Sequence, residues 1–277
     1  MFDLDRFPRA QRAATVIGIA RIDHTGDVRA FAVVRGGVVA EVVWAQFLSP
    51  AGRLLEKPVS QVRQERLEER AEVWRPMRYR GRRAIATWWR PAGQARLTGC
   101  ATLGALEAAL SLEFDPQVVS FTSWPVRLAW AGSAEGYVPD FFARLADGRA
   151  RLLVCRTSER AAGGWEEASR LLEAAGEQAG WDVRVHPGAD DTAAAANRQR
   201  LARYRHARLA DADTARVLHQ VFASPRPFTD GVKASALPEL ATVARALHLV
   251  WMRELLIDWS SPFVPARSLV WSPQGVR

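Results

Sequence analysis

The chain has 277 residues, 48% hydrophobic and 25% charged, enough apolar content to bury a large core without covalent staples. Its two cysteines, Cys100 and Cys155, have no CxxC or Cys/His partner, which excludes a disulfide framework and a structural zinc and fits a reducing cytoplasm. A net charge of +8, carried by arginine with Lys57 and Lys233 as the only lysines, favours a polyanionic partner such as DNA.

No signal-peptide core opens the sequence, and no run reaches the roughly 18 apolar residues of a membrane span. A cytoplasmic protein without a membrane partner is expected. The histidines His24, His186, His206, His219 and His248 are scattered, and HExxH, Walker, GxGxxG and nucleophile-elbow patterns are absent. His219 and His248 lie among apolar helical neighbours, as packed or capping groups do.

Residues 14–46 are β-branched and punctuated by TGD and RGG, which predicts a three-stranded meander. The charged stretch EKPVSQVRQERLEERAEVWRP reads as an exposed helix or linker ending near Pro76. Two short strands around an Arg-Pro-Ala-Gly turn follow, carrying Trp88 and Trp89 among Arg78, Arg80, Arg82, Arg83, Arg90 and Arg96. Arginine can meet phosphate while a ring stacks, so this stretch suits a nucleic-acid groove.

Leu103, Leu106, Ala109, Leu110 and Leu112 have helical spacing, with a stop at Pro116 and Asp115 shaping the turn. Three strands in sequence come next: VVSFTSWPVRLAWAG, then YVPDFFARLA and RARLLVCRT joined at Asp147-Gly148. A helix with Leu171, Leu172 and Ala175 on one stripe and the strand WDVRVHP complete the series. The order helix, three antiparallel strands, helix, strand is an α+β unit. DTAAAANRQRLARYRHAR predicts a helix whose end bears Arg198, Arg200, Arg203, Arg205 and Arg208, where cations also suit the helix dipole. From residue 212 on, further helices precede a short apolar pair around Pro262 and Pro265, an arrangement that resembles a winged helix. The division expected is an N-terminal β-rich segment and linker over 1–73, the α+β unit over 74–208 and the helical module over 209–277.

The Pro139-Asp140 step opening the second strand resembles the restriction-endonuclease-like PD-(D/E)xK core. LEFDPQVVSFTSWPVRLAW, YVPDFFARLADGRARLLVCR, NRQRLARYRHAR and LVWMRELLIDWSSPF fall in the order of blocks in TnsA-like heteromeric transposase endonuclease subunits. The resemblance implies a Mg or Mn site made by a helix glutamate, the Pro-Asp aspartate and an acid-x-basic pair on the third strand. Magnesium takes hard oxygen ligands, usually from more than one carboxylate. Carried over, the aspartate is Asp140 and the strand triplet is Val154-Cys155-Arg156. Val154 stands where the family's acid would point, beside Arg156, and arginine stays protonated where a lysine could act as base. The helix glutamate falls on Ala105; Glu107 is the nearest acid, about 200° around the helix.

Two readings of the site follow. Either the scaffold has lost its metal, leaving Asp140 as a strand-entry cap with Arg156 as a residual phosphate contact, or Glu107, Glu135 or Glu159 has replaced the lost acids within about 5 Å of Asp140. A protein-interaction subunit with incidental charge is a third reading. The resemblance implies a DDE-type transposase and an ATPase regulator as partners. DNA contacts are expected from Arg78, Arg80, Arg82, Arg83, Arg198, Arg203 and Arg205, and Cys155 is expected to be a buried thiol.

Overall fold

The computed structural model describes residues 17–22, 28–33, 39–77, 84–156, 164–188 and 192–273. Strands β1 (Ile17–Ile22), β2 (Val28–Val33) and β3 (Val39–Glu41) form the antiparallel meander read from the sequence. Strand β4 (Val43–Leu48) then pairs with β5 (Leu54–Pro58). The charged stretch that follows is not a helix. It makes two single 3-10 turns at 59–61 and 67–69, and three of its apolar residues, Val59, Val62 and Leu67, are fully buried pegs. Glu68 beside them is buried against Arg144, which donates to it from Nε at 3.1 Å and Nη2 at 3.0 Å.

Strands β6 (Thr87–Trp89) and β7 (Thr98–Cys100) form the expected hairpin. Helix α1 (Leu103–Phe114) starts where Thr102 Oγ1 accepts from Ala105 N at 3.0 Å, a side-chain cap. It ends at Asp115, whose Oδ1 accepts from Gln117 N at 2.9 Å and shapes the turn into β8 (Val118–Ser123).

The next strand of the sequence reading is two strands in the structure. Trp124 takes a positive φ of 51° and Pro125 has no N–H to give, so the chain turns out of the first sheet before β9 (Val126–Trp130). β9 pairs with β4, and an antiparallel bridge between Leu128 and Tyr137 brings the chain back toward Asp140. Strands β10 (Phe141–Leu145) and β11 (Ala150–Cys155) follow as a hairpin through Asp147-Gly148, with Gly148 at φ 82°. Helix α2 (Trp165–Ala179) and β12 (Asp182–His186) complete a four-stranded sheet of order β12-β11-β10-β8, in which β12 alone is parallel to its neighbour.

One face of this sheet packs on α1 and the other on α2 and the N-terminal strands. Leu153, Cys155 and Phe141 join Ala105, Ala108 and Leu112 on the first face. Leu152, Val154 and Phe142 join Leu171, Leu172 and Val43, Phe47 on the second. Residues 43–67 therefore share the core of the α+β unit across the boundary expected at residue 73.

Helix α3 (Ala193–Leu201) is shorter than the sequence pattern predicts. It passes into 3-10 turns at 202–204 and 207–209 because His206 is extended and Arg205 turns its guanidinium back onto Ala202 O at 2.7 Å. The C-terminal part runs α4 (Ala212–Val221), β13 (Arg226–Pro227), α5 (Phe228–Ala234), α6 (Glu239–Trp251), β14 (Leu256–Ile257) and β15 (Leu269–Trp271), with sheet order β13-β15-β14. The chain is thus a mixed α+β protein, and none of the described helices is long and apolar enough to cross a membrane.

Glu113, at the end of α1, ties three segments together. Its Oε2 accepts from Trp89 Nε1 at 2.5 Å, its Oε1 accepts from Ala92 N at 2.7 Å, and Arg205 Nε lies 3.2 Å from Oε1. The Arg205 and Glu113 side chains are only 10% and 8% exposed. Breaking one half of a buried ion pair strands the other charge. Glu113→Ala is expected to lower stability by about 3 kcal/mol in denaturant unfolding, and Glu113→Gln, which keeps one acceptor, by less.

Candidate functional site

Asp140 sits just before β10 and is 3% exposed. Its Oδ2 accepts from Cys155 N at 2.7 Å, and its backbone oxygen accepts from Trp124 N at 3.2 Å. The carboxylate thus caps the end of β11, the role anticipated for a strand-entry aspartate, while the Asp140 backbone oxygen holds the β8–β9 break. Cys155 is a buried thiol, as expected, and shares the α1-side cluster with Cys100. Burial, with the nearby Asp140 charge adding to it, pushes the Cys100 thiol up to about 12. At neutral pH Cys100 is a protonated thiol and is neither a nucleophile nor a thiolate ligand.

Ala105 faces the same cluster at 1% exposure, and Glu107, two residues on, is half-buried. Around Ala105 the backbone is closely packed. A Cβ on Gly104 would stand 2.7 Å from Gly188 O, and one on Gly188 would stand 2.8 Å from Arg156 O. The first turn of α1 and the exits of β11 and β12 are therefore in backbone contact.

Val154 and Arg156 share a face, as their spacing predicts, but that face belongs to α2. Val154 is fully buried against the α2 core, and the Arg156 guanidinium lies 5.7 Å from the ring centroid of Trp165, the first residue of α2. The expectation that Val154 points toward a site shared with Ala105 is corrected. The pleat turns Leu153 and Cys155 to α1 and sends Val154 the other way. Glu135 is exposed, and Glu159 lies outside the described residues.

Among the described residues no group of three His, Cys, Asp or Glu side chains is placed to hold a metal ion. Asp140 Oδ2 already accepts an amide, and the Cys100 thiol near it is protonated. This set does not fit Mg or Mn, which need several oxygen ligands.

The arginines expected to meet DNA divide sharply. Arg205 is structural: beyond Glu113 and Ala202 it donates to Arg90 O at 3.0 Å and covers the Trp89 ring at 4.0 Å. Burial pulls its guanidinium below its ordinary value, and Glu113 pulls it back. The expectation for Arg205 is corrected, because its donors and its cationic face are used inside the protein. Arg198 is half-buried, whereas Arg200, Arg203 and Arg208 are exposed. Arg78, Arg80, Arg82 and Arg83 lie outside the described residues.

Beside the β6–β7 hairpin the structure adds a groove of about 570 Å³, lined in part by Trp88, Arg90 and Arg96 and by Arg70 and Arg75 of the preceding segment. Sequence reasoning missed Arg70 and Arg75, which sit in a run of alternating Arg and Glu with nothing to single them out. No protein-family model matches the chain, and no curated protein matches its sequence.

In the C-terminal part, α6 turns inward. Only Glu239, Leu240 and Ala241 of its first turn are exposed; Thr242 and residues 246–251 are buried. Its far side is covered by the 202–209 turns, where His248 Nδ1 stands 2.7 Å from Tyr204 O. Arg245 is held by Thr214 Oγ1 at 2.8 Å and Asp211 Oδ2 at 3.3 Å.

Two outcomes check this geometry. Val154→Glu places an acid in the α2 core, so it is expected to cost about 3 kcal/mol or more in denaturant unfolding and to give no metal-dependent cleavage. The folded Cys100 thiol titrates near 12 against 9.0 for an ordinary thiol, so its stabilisation is complete below pH 9 and is lost as pH rises through 12. Across that window the wild type is expected to lose stability faster than Cys100→Ala, by up to about 4 kcal/mol, as read from unfolding midpoints at successive pH values.

Proposed function

We propose that this chain is a TnsA-like subunit of a transposition-type complex, one that binds DNA and partner proteins through a nuclease-type core and has lost metal-dependent cleavage. The single observation that carries this reading is the setting of Asp140. The Pro-Asp carboxylate is present, yet its Oδ2 is bound to the Cys155 amide beside a packed cluster with Cys100, and Ala105, the position to which the resemblance carries the helix acid, lies in that cluster.

The order α1, β8, β10, β11, α2, β12, with three antiparallel strands and a parallel fourth, supports a restriction-endonuclease-like core, with β9 as an excursion. The order α4, β13, α5, α6, β14, β15 with β15 central supports a winged-helix module. In that module the third helix is α6, which is covered and weakly basic. Among the described residues, DNA contact is therefore assigned to the exposed Arg75, Arg90, Arg96, Arg200, Arg203 and Arg208, and the module's role is to brace the core and present a protein surface. A DDE-type transposase and an ATPase regulator are the partners this reading implies.

The test is cleavage and binding together. Purified protein with Mg or Mn is expected to leave supercoiled DNA intact. DNA affinity is expected to fall steeply, by an order of magnitude or more, between about 50 and 200 mM salt, as phosphate contacts require. Nicking that Asp140→Ala abolishes would show an active endonuclease with migrated ligands, and flat, weak binding would show a protein-interaction subunit.

A further inference from the structure

The groove beside the β6–β7 hairpin is built for more than charge. Its described lining holds Arg70, Arg75, Arg90 and Arg96 against one glutamate, Glu72, around the exposed indole of Trp88. The two adjacent tryptophans of this hairpin have opposite fates. Trp89 gives its N–H to Glu113 and its face to Arg205, whereas Trp88 is 39% exposed and reaches the groove. Trp88 is also fixed in place. It stands edge-on to the buried Trp124 at 6.4 Å, and Trp74, exposed as well, meets the same ring at 5.2 Å. Gly99 permits this packing, since a Cβ there would lie 2.3 Å from the Trp124 ring.

The cations differ in how free they are. Arg70 is tied to Glu65 at 3.0 Å, and Arg96 gives Nη1 to Glu69 O at 2.7 Å. Arg75 pairs with Glu72 at 2.6 Å while its guanidinium lies 5.7 Å from the Trp88 centroid, and its side chain is 71% exposed. Arg90 is exposed at the mouth of the groove.

Resting on the reading of this chain as a DNA-binding subunit, we propose that the groove binds an unpaired DNA strand, with a base stacked on Trp88 and the adjoining phosphates met by Arg75, Arg90 and Arg96. A duplex keeps its base faces stacked inside, so only an unpaired strand can offer one to a recessed indole. The volume, about 570 Å³, is that of a small-ligand pocket and is too small for the width of a double helix. Arg75, whose guanidinium already lies 5.7 Å from the Trp88 centroid, is placed to close over the base and hold it between an indole and a guanidinium.

The experiment is fluorescence anisotropy with a labelled single-stranded oligonucleotide and the duplex of the same sequence, on the full chain, for wild type, Trp88→Ala and Arg90→Glu. The unpaired strand is expected to bind more tightly than the duplex. Trp88→Ala is expected to weaken single-strand binding about tenfold, within the range of one base stack, and to leave duplex binding within twofold. Arg90→Glu is expected to weaken single-strand binding and to make its salt dependence shallower. If Trp88→Ala disturbs the fold by circular dichroism, Trp88→Leu, which keeps an apolar contact with Trp124 and offers no ring to stack on, carries the test with the same selective loss on the unpaired strand. Equal loss on both forms of DNA for the Trp88 variants, or no loss on the single strand, overturns the proposal while leaving DNA binding in place. Salt-dependent binding of neither form overturns the DNA-binding reading itself.

Discussion

The central constraint in this molecule is that β11 is covered on both faces. Ala150, Leu152 and Val154 are committed to the α2 side, and Leu153 and Cys155 to the α1 side. A strand in that position has no side free for solvent or a hydrated cation. The aspartate that opens β10 accepts the Cys155 amide, so that the end of the strand is not left with an orphan donor.

The same economy governs the arginines. Where a guanidinium meets a carboxylate inside the protein, as Arg205 does with Glu113 or Arg144 with Glu68, it is spent on joining segments that are distant in sequence. Where it meets water, as at Arg75, Arg90, Arg200, Arg203 and Arg208 among the described residues, it contributes to a positive surface. Arg151 shows the first use again, bonding Asp115 and Asp182 at 2.7 Å each and so clamping the end of α1 to the sheet edge. Composition counts these groups alike, but only the outward ones can release counterions from a polyanion. The inward turn of α6 follows the same logic, since a helix buried by the 202–209 turns holds the two halves of the chain together.

Much of the architecture was legible in the sequence because it rests on local signals. The meander over residues 17–41, the α1 stop at Asp115-Pro116, the Asp147-Gly148 turn and the apolar stripe of α2 each depend on spacing or turn chemistry within a few residues. The segment from 54 to 76 was not legible. Three buried residues in a charged run carry no period, and their burial comes from partners such as Phe142 and Leu172 far along the chain. The break at Trp124 was hidden for a related reason. Trp124 takes a φ of 51°, and its ring occupies space that Gly99 leaves open on another strand.

The sequence by itself determined the α+β order, the buried thiol of Cys155, the Pro-Asp entry to β10 and the positive balance of charge, because each follows from residue identity and short-range periodicity. Only the tertiary structure decided which face Val154 takes, which arginines are already paired and which of two neighbouring tryptophans reaches the surface. Those outcomes depend on pleat direction, packing space and ion-pair partners up to a hundred residues away, and nothing local in the chain encodes them.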